Sequence, residues 1–185
     1  MKRFILSIFF LLFLSCQQKS AIDSLPYSEE EKVERFSLFR SDKSGEWRIL
    51  GKTAAISPDR KKTSITDPKL TINTEKRKVL TLQTAKDGVA EFTIDEKTNR
   101  INSLTATKKV IIIQRDEKGQ IVFKSTSERA VYDGKERVVI LTGNPIVEQG
   151  KNKFRGEIIR YFVDDGKIVI TGKVKGTVFP EEGEE

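Results

Sequence analysis

An internal repeat with an offset of 29 residues constrains the fold of this chain more than any other feature. Residues 130–143 are echoed by residues 159–172, each with an alternating apolar segment, a turn and a second apolar segment that ends in Thr-Gly. Corresponding positions are Tyr132 and Tyr161, and Gly143 and Gly172. Weaker copies precede them at 47–68 and 80–110. Such a unit is too small to bury an apolar face alone, so the repeat predicts strand-turn-strand units stacked side by side.

Alternation of apolar and polar residues with a period of two recurs outside the repeat, as in residues 70–72 (LTI) and 90–94 (AEFTI). No segment beyond the N-terminus has the periodicity of a long helix. Three Asp-Gly pairs predict hairpin turns of type I′, because both residue types tolerate positive φ. They are Asp87-Gly88, Asp133-Gly134 and Asp165-Gly166. The sequence therefore predicts a nearly all-β domain built as a stacked or rolled antiparallel sheet.

The N-terminus has the layout of an export signal. Lys2 and Arg3 precede an apolar run at 4–14, which is too short to span a bilayer as a helix. Cys16, the only cysteine, follows a segment (LFLS) that resembles the lipobox of bacterial lipoproteins. We therefore expect a signal peptide at 1–15 and acylation of Cys16, against the alternatives of an uncleaved short anchor or a chance cysteine.

The rest of the chain divides into three parts. Residues 16–32 contain the lipidated cysteine and lack periodicity, so they are expected to tether the domain to a membrane. Residues 33–179 form the predicted β-domain, and residues 180–185 are an acidic tail.

Composition excludes several kinds of chemistry. The chain has no histidine and one cysteine, so it cannot build His/Cys zinc sites, Ser-His-Asp or Cys-His nucleophile systems, or a haem held by histidine. No cofactor and no catalytic residues are expected. The formal charge is +7, but the basic clusters are interleaved with acidic residues and lack an aromatic ladder, so a nucleic-acid partner is not expected.

Several segments resemble a known family. Residues 143–150 (GNPIVEQG), 154–161 (FRGEIIRY) and 170–174 (ITGKV) are similar to the OstA-like repeat of the periplasmic lipopolysaccharide transport proteins LptA and LptC. Residues 47–51 (WRILG), with Ala54, Ala55, Ile65, Pro68 and Leu70 after them, resemble the N-terminal pattern of LptC. The resemblance covers most of residues 33–179.

This resemblance implies an open, twisted antiparallel β-jelly roll, V-shaped in section, whose inner faces form a groove for the acyl chains of lipid A. It implies no enzyme activity. LptC receives lipopolysaccharide from an inner-membrane ABC transporter and passes it to LptA through sheets joined edge to edge. LptC usually has a transmembrane helix, whereas a lipid on Cys16 would anchor this chain. An anchor favours the LptC role at the inner membrane, although Gln17 is not the aspartate that retains lipoproteins there in some bacteria.

Alternation within the strands selects candidate groove residues, since residues i and i+2 share a face. For each of them, closed core packing without a ligand is the alternative. The candidates are Phe92, Ile94, Ile121, Phe123, Tyr132, Ile159, Tyr161 and Ile170.

The ends of an unclosed sheet leave backbone N–H and C=O groups available for strand addition. We expect the first strand, at 33–39, to meet the transporter and the last, at 174–179, to meet an LptA-like partner. The residues chosen on these edges are Val33, Phe36, Phe39, Val174, Thr177 and Phe179.

Two other classes remain open. A β-rich lipoprotein scaffold or adhesin could use the same repeats with a closed core and bind protein through its edge strands. A glycan hydrolase needs two carboxylates, and no pair stands out among the 27 acidic residues from those in turns and on solvated faces.

Overall fold

The computed structural model describes residues 30–42, 45–74, 79–98 and 100–179. Within these ranges the chain forms β-strands joined by turns, and no helix in them could cross a membrane. The predicted signal peptide, Cys16, nearly all of the tether and the acidic tail lie outside the described residues.

The described strands pair antiparallel throughout, and they are rich in the β-branched and aromatic residues that suit a pleated surface. They are β1 (Glu31–Asp42), β2 (Gly45–Ile56), β3 (Lys62–Thr66), β4 (Lys69–Thr74), β5 (Val79–Thr84), β6 (Val89–Asp95), β7 (Arg100–Arg115), β8 (Ile121–Asp133), β9 (Val138–Thr142), β10 (Ile146–Gln149), β11 (Asn152–Arg155), β12 (Ile158–Phe162), β13 (Ile168–Thr171) and β14 (Lys175–Thr177).

The strands form one sheet folded into two layers. The first layer contains, in spatial order, the beginning of β1, the end of β2, β3, β6, the beginning of β7, the end of β8, β9, β12 and β13. The second contains the end of β1, the beginning of β2, β4, β5, the end of β7, the beginning of β8, β10, β11 and β14. The chain crosses between the layers in successive segments. A crossing segment is either one long strand (β1, β2, β7 or β8) or two consecutive short strands (β3 with β4, β5 with β6, β9 with β10, β11 with β12, β13 with β14). Each crossing segment pairs with the segments before and after it in the chain.

The sheet bends between the two layers along a line of residues whose backbone is not extended. Most of the crossing segments have one or two residues with positive φ on this line. In β7 the register shifts between Thr107 and Val110, so that strand carries a bulge as it turns the corner. The residues with positive φ on the line are Arg35, Asp67, Asp87, Lys108, Lys109, Gly143, Asn144, Gly172 and Lys173.

The bend also reproduces the 29-residue offset of the sequence repeat. Gly143 and Gly172 have φ of 73° and 70°, and their carbonyls accept hydrogen bonds from the backbone N–H groups of Glu128 and Glu157 at 3.1 and 2.9 Å. A Cβ on either glycine would overlap the side chain of the same glutamate. The repeat unit is therefore a pair of crossing segments, and glycine is required where two of them meet closely.

The Asp-Gly pairs are used differently from the prediction. Asp133-Gly134 and Asp165-Gly166 lie in hairpin turns, but neither aspartate has positive φ, so these turns are not of type I′. The Asp133 carboxylate instead accepts hydrogen bonds from two backbone N–H groups in its turn. The hairpin predicted at Asp87-Gly88 is wrong, because this pair lies on the bend between β5 and β6, where positive φ is equally useful.

Candidate functional site

The inner faces of the two layers bury a continuous apolar cluster. Both layers contribute to it: Ile49, Leu70 and Leu82 come from the second layer, and Leu104 and Leu141 from the first. Alternation in each strand produces this face, because every second residue points between the layers. In residues 110–113 and 138–141, where both faces are apolar, the fold orients Val110, Ile112, Val139 and Leu141 inward.

Most of the predicted groove residues lie in this interior. Phe92, Phe123, Ile159 and Tyr161 are nearly inaccessible to solvent, and Tyr132 is 6% exposed. Ile94 and Ile170 are half-buried and pack against the cluster from β6 and β13. The fold therefore brings residues from strands that are distant in sequence to one surface.

Ile121 does not share the buried environment of Phe123 that alternation predicts. The register between β7 and β8 shifts at this end, since Arg115 pairs with Ile121 but Gln114 pairs with Phe123. The shift inserts Val122 as an extra residue and breaks the alternation. Ile121 is 48% exposed at the first position of β8, outside the interior.

A polar contact joins the layers inside the apolar cluster. Tyr161, on β12 of the first layer, donates its hydroxyl proton to Oε1 of Gln114, on β7 of the second layer, at 2.6 Å. The Tyr161 ring also stacks on Phe123 of the second layer, with centroids 4.7 Å apart and planes inclined by 16°. This part of the interior is fixed by a directional contact as well as by burial.

Burial also determines the ionisation of the two tyrosines. It raises the pKa of Tyr161 to about 12, and it raises the pKa of Tyr132 as well. The Tyr161 phenol therefore stays protonated at neutral pH and remains a donor to Gln114.

Two cavities lined by residues of the apolar cluster are small. A cavity between Leu80, Ile112 and Val139 measures about 10 Å³, which is too small for an acyl chain. A second cavity, of about 40 Å³, lies where the turns of the two layers approach each other, and Trp47, Tyr132 and Arg137 are among its lining residues. The apolar surface is present, but a ligand needs the layers to move apart or side chains to rearrange.

The sheet does not close on itself. Among the described strands, β1 pairs only with β2, whereas β13 pairs only with β12 and β14 only with β11. One edge is thus β1 over both layers, and the other is formed by β13 and β14. Sequence analysis placed β1 and β14 at edges and did not include β13.

The residues chosen on the edges differ in exposure. Val33 and Phe36 are half-buried and pack against the interior, whereas Phe39 is 47% exposed. Around β14, Val174 and Phe179 are 54% and 50% exposed, and Thr177 is exposed as well.

Comparison with known proteins assigns the chain to a family. Residues 45–167 match the family described as LptA/(LptD N-terminal domain) LPS transport protein. The chain belongs to this family. The OstA-like resemblance is thereby confirmed, and so is the expectation that the chain is not an enzyme, because the LptA/LptD family is one of lipid transport proteins. No curated protein matches the chain.

A solved structure has the same fold as this LptA/LptD family member. It is the crystal structure of LptH, the LptA homologous periplasmic component of the conserved lipopolysaccharide transport device from Pseudomonas aeruginosa. The two superpose with a TM-score of 0.60 at 15% identity, over 76% of this chain and 100% of that one. The predicted β-jelly roll is confirmed.

Sequence reasoning missed Gln114 as an interior residue. It lies two positions after Ile112 and four after Val110, so its inward direction follows once either of these is known to be buried. Within the described residues no group of acidic or cysteine side chains could hold a metal ion.

Proposed function

We propose that this chain is a membrane-anchored periplasmic carrier that holds the acyl chains of lipopolysaccharide between its two layers. In this proposal it receives the lipid from an inner-membrane ABC transporter and relays it to an LptA-like protein toward the outer membrane. The observation that supports it best is a continuous apolar interior inside a sheet whose edges do not pair with each other.

The unclosed sheet gives the lipid a way in. In a closed barrel, access to the interior would break backbone hydrogen bonds between strands. Here the layers can separate along the rows of turns opposite the bend while every pair of neighbouring strands stays intact. Separating the layers costs the apolar side-chain contacts across the interior. Bound acyl chains would replace these contacts with apolar contacts of their own.

The expected affinity suits a carrier. Each methylene buried in the interior contributes about 0.8 kcal/mol, so about ten of them give about 8 kcal/mol, near micromolar affinity. Covering all the chains of a lipid A would make release very slow. A relay therefore needs to cover them only in part.

The two edges supply the relay. Strand β1 follows the tether and is nearer the membrane in chain order, so it is assigned to the transporter. Strand β14 lies at the opposite edge and is assigned to the LptA-like partner. Unpaired edge strands favour partner binding by strand addition.

The anchor is a lipid on Cys16, which would hold the domain at the inner membrane. Two acyl chains anchor a protein stably, whereas one is marginal. Metabolic labelling with a fatty-acid analogue such as an alkynyl palmitate tests this step, and we expect Cys16→Ser to abolish incorporation.

Photocrosslinking tests the carrier function. A photoreactive amino acid is placed in the full chain at Phe92, Phe123 or Tyr161, which point inward, in cells that make lipopolysaccharide. The matched controls are the outward neighbours Glu91, Lys124 and Arg160. We expect lipopolysaccharide adducts at the inward positions only. Equal adducts on both faces, or none at any position, would contradict lipid binding between the layers.

The small size of the cavity between Leu80, Ile112 and Val139 favours one alternative, a lipoprotein scaffold or adhesin that binds protein by edge-strand addition and carries no lipid. It predicts no adducts at the inward positions, together with protein crosslinks along β1 or β14. The same set of variants therefore separates the two functions.

A further inference from the structure

The outer face of the second layer has a strong excess of basic residues. In each strand, the residues next to a buried residue point outward. By this rule and the pairing of neighbouring strands, seven basic side chains lie on the outer face of the second layer. They are Arg48, Lys69, Arg115, Lys124, Lys153, Arg155 and Lys175. Among the described strand residues, two carboxylates share this face: Glu46 and Glu148. The excess is therefore five positive charges.

The Glu148 carboxylate neutralises only part of the positive charge on this face. Its carboxylate lies 3.7 Å from Nζ of Lys124 and 3.3 Å from Nζ of Lys153, so it is shared between these two. The other five basic residues of the face are accompanied by Glu46 alone among the described strand positions.

The outer face of the first layer is different. Its described strands direct five basic and four acidic residues outward, which nearly balance. The basic residues are Lys32, Lys62, Arg100, Arg129 and Arg160, and the acidic ones are Glu34, Glu91, Asp95 and Asp133. Lys62 and Glu91, for example, form an ion pair across two of these strands. The two outer faces of one sheet are thus electrostatically unlike.

Exposed apolar side chains accompany the charge on the second layer. Phe39 and Leu50 are 47% and 38% exposed on outward positions of β1 and β2. The Arg48 guanidinium lies 5.5 Å from the centroid of the Phe39 ring. With Glu46, Lys69 and Thr71, these side chains are among those that line a shallow groove of about 290 Å³. Basic side chains around partly exposed aromatic and aliphatic groups are typical of surfaces that bind at a membrane interface.

We propose that the outer face of the second layer docks on an anionic bilayer surface. The basic positions extend from β2 to β14, which is about 34 Å at about 4.8 Å between neighbouring strands. A charge spread over such a broad face fits a broad anionic surface better than the localised acidic site of a protein partner. The docked face leaves β13 and the outer face of the first layer away from the bilayer.

The chain before the domain supports the same occupant. This step rests on the proposed anchor at Cys16. Thirteen residues separate Cys16 from Glu30, and they span at most about 45 Å. An acylated chain therefore keeps the basic face within reach of the bilayer to which it is anchored.

A polarity-sensitive fluorophore on single cysteines tests the orientation. The chain without the predicted signal peptide, residues 16–185 with Cys16→Ser, has no other cysteine, so Thr71→Cys labels the outer face of the second layer and Thr105→Cys that of the first. Vesicles contain either phosphatidylcholine alone or phosphatidylcholine with 30% phosphatidylglycerol. We expect a blue shift with the anionic vesicles at position 71 and not at position 105, and its loss in about 0.5 M salt. Equal shifts at both positions, or no preference for anionic lipid, would overturn the proposal.

Charge reversal supplies the matched comparison. A basic residue close to an anionic surface strengthens binding about fivefold, so Arg48→Glu with Lys69→Glu should raise the lipid concentration for half-maximal shift at least tenfold. Lys32→Glu with Arg129→Glu makes the same change in net charge on the other face and should raise it less than threefold. An equal effect of the two pairs would mean that only net charge matters, which rejects a specific face.

The unacylated chain keeps this test independent of the anchor. If Cys16 is not acylated in cells but position 71 shifts, the anchor is wrong and the basic face stands. If Cys16 is acylated in cells but the fluorophore at position 71 shows no blue shift, the anchor stands and the basic face does not bind the bilayer.

Discussion

Two parts of the interior are held together in different ways. Near β1 and β6, Phe36 and Phe92 meet at 6.4 Å between ring centroids, tilted by 49°, among aliphatic side chains. Near β8 and β12, Tyr161 stacks on Phe123 and is hydrogen-bonded to Gln114. The first arrangement contains no hydrogen bond, so an apolar side chain of similar size can replace either ring without leaving a polar group unpaired. The second has a buried polar partner that nothing apolar can satisfy.

The largest difference should come from truncating the interior aromatics. Phe92→Ala should lower the free energy of unfolding by about 3 to 5 kcal/mol, because a fully buried ring leaves a cavity. Phe36→Ala removes a half-buried ring from an edge strand and should cost about 1 to 2 kcal/mol. Urea unfolding of both variants measures the two values. Equal losses would mean that the edge strand is as tightly packed as β6.

A smaller effect tests the polar contact. Tyr161→Phe leaves the Gln114 amide buried without its donor and should cost about 1 to 3 kcal/mol. Adding Gln114→Leu removes the orphaned group, so the double variant should recover most of that loss. If the two substitutions are simply additive in thermal or urea unfolding, the hydrogen bond does not stabilise this part of the interior.

High pH should weaken the same part through Tyr161, and the comparison with Tyr161→Phe isolates this contribution from that of Tyr132, whose pKa is also raised. The pKa of Tyr161 is raised to about 12 in the folded state, against about 10 in an unfolded chain, so the folded state holds the proton more tightly. The stability linked to this proton is present below about pH 10 and is lost as pH rises toward 12. The difference in unfolding free energy between wild type and Tyr161→Phe should therefore shrink over this window. A constant difference would show that Tyr161 does not titrate with a raised pKa.

The smallest effect on stability is expected at the edge. The Phe179 N–H donates to Oδ1 of Asn152, on β11, so the N–H of Thr177 faces β11 too and that of Val178 faces away. Val178→Pro should cost less than about 0.5 kcal/mol yet weaken capture of an LptA-like partner, whereas Thr177→Pro removes an N–H that faces β11 and should destabilise the edge more. Normal partner capture by Val178→Pro would remove β14 from the proposed relay.

Sequence patterns predicted the β-strands and their buried faces, but not the positions where the strands are irregular. Alternation places Phe92, Tyr132 and Tyr161 correctly on the buried face, because pleating is a local property of each strand. It fails at Ile121, where one extra residue in the pairing reverses the direction of the side chain. Asp87-Gly88 signals positive φ but not whether the chain turns back or bends, since that depends on the neighbouring segments.

The partner of a buried polar group is equally hidden from a local pattern. Gln114 and Tyr161 are 47 residues apart and lie in different layers, so only the folded sheet brings them together. The charge difference between the two outer faces is hidden for the same reason. It becomes visible when the register of each strand sorts its lysines and arginines by direction.

The order of the crossing segments has a consequence for how the chain folds. Each segment pairs with its immediate neighbours in sequence, so the sheet can be built by adding one hairpin at a time to an existing edge. Loop closure at each addition spans only a short stretch, which keeps its entropic cost low and favours rapid growth from any nucleus. A chain that is released with its N-terminus first can therefore begin to fold before its last strands are available.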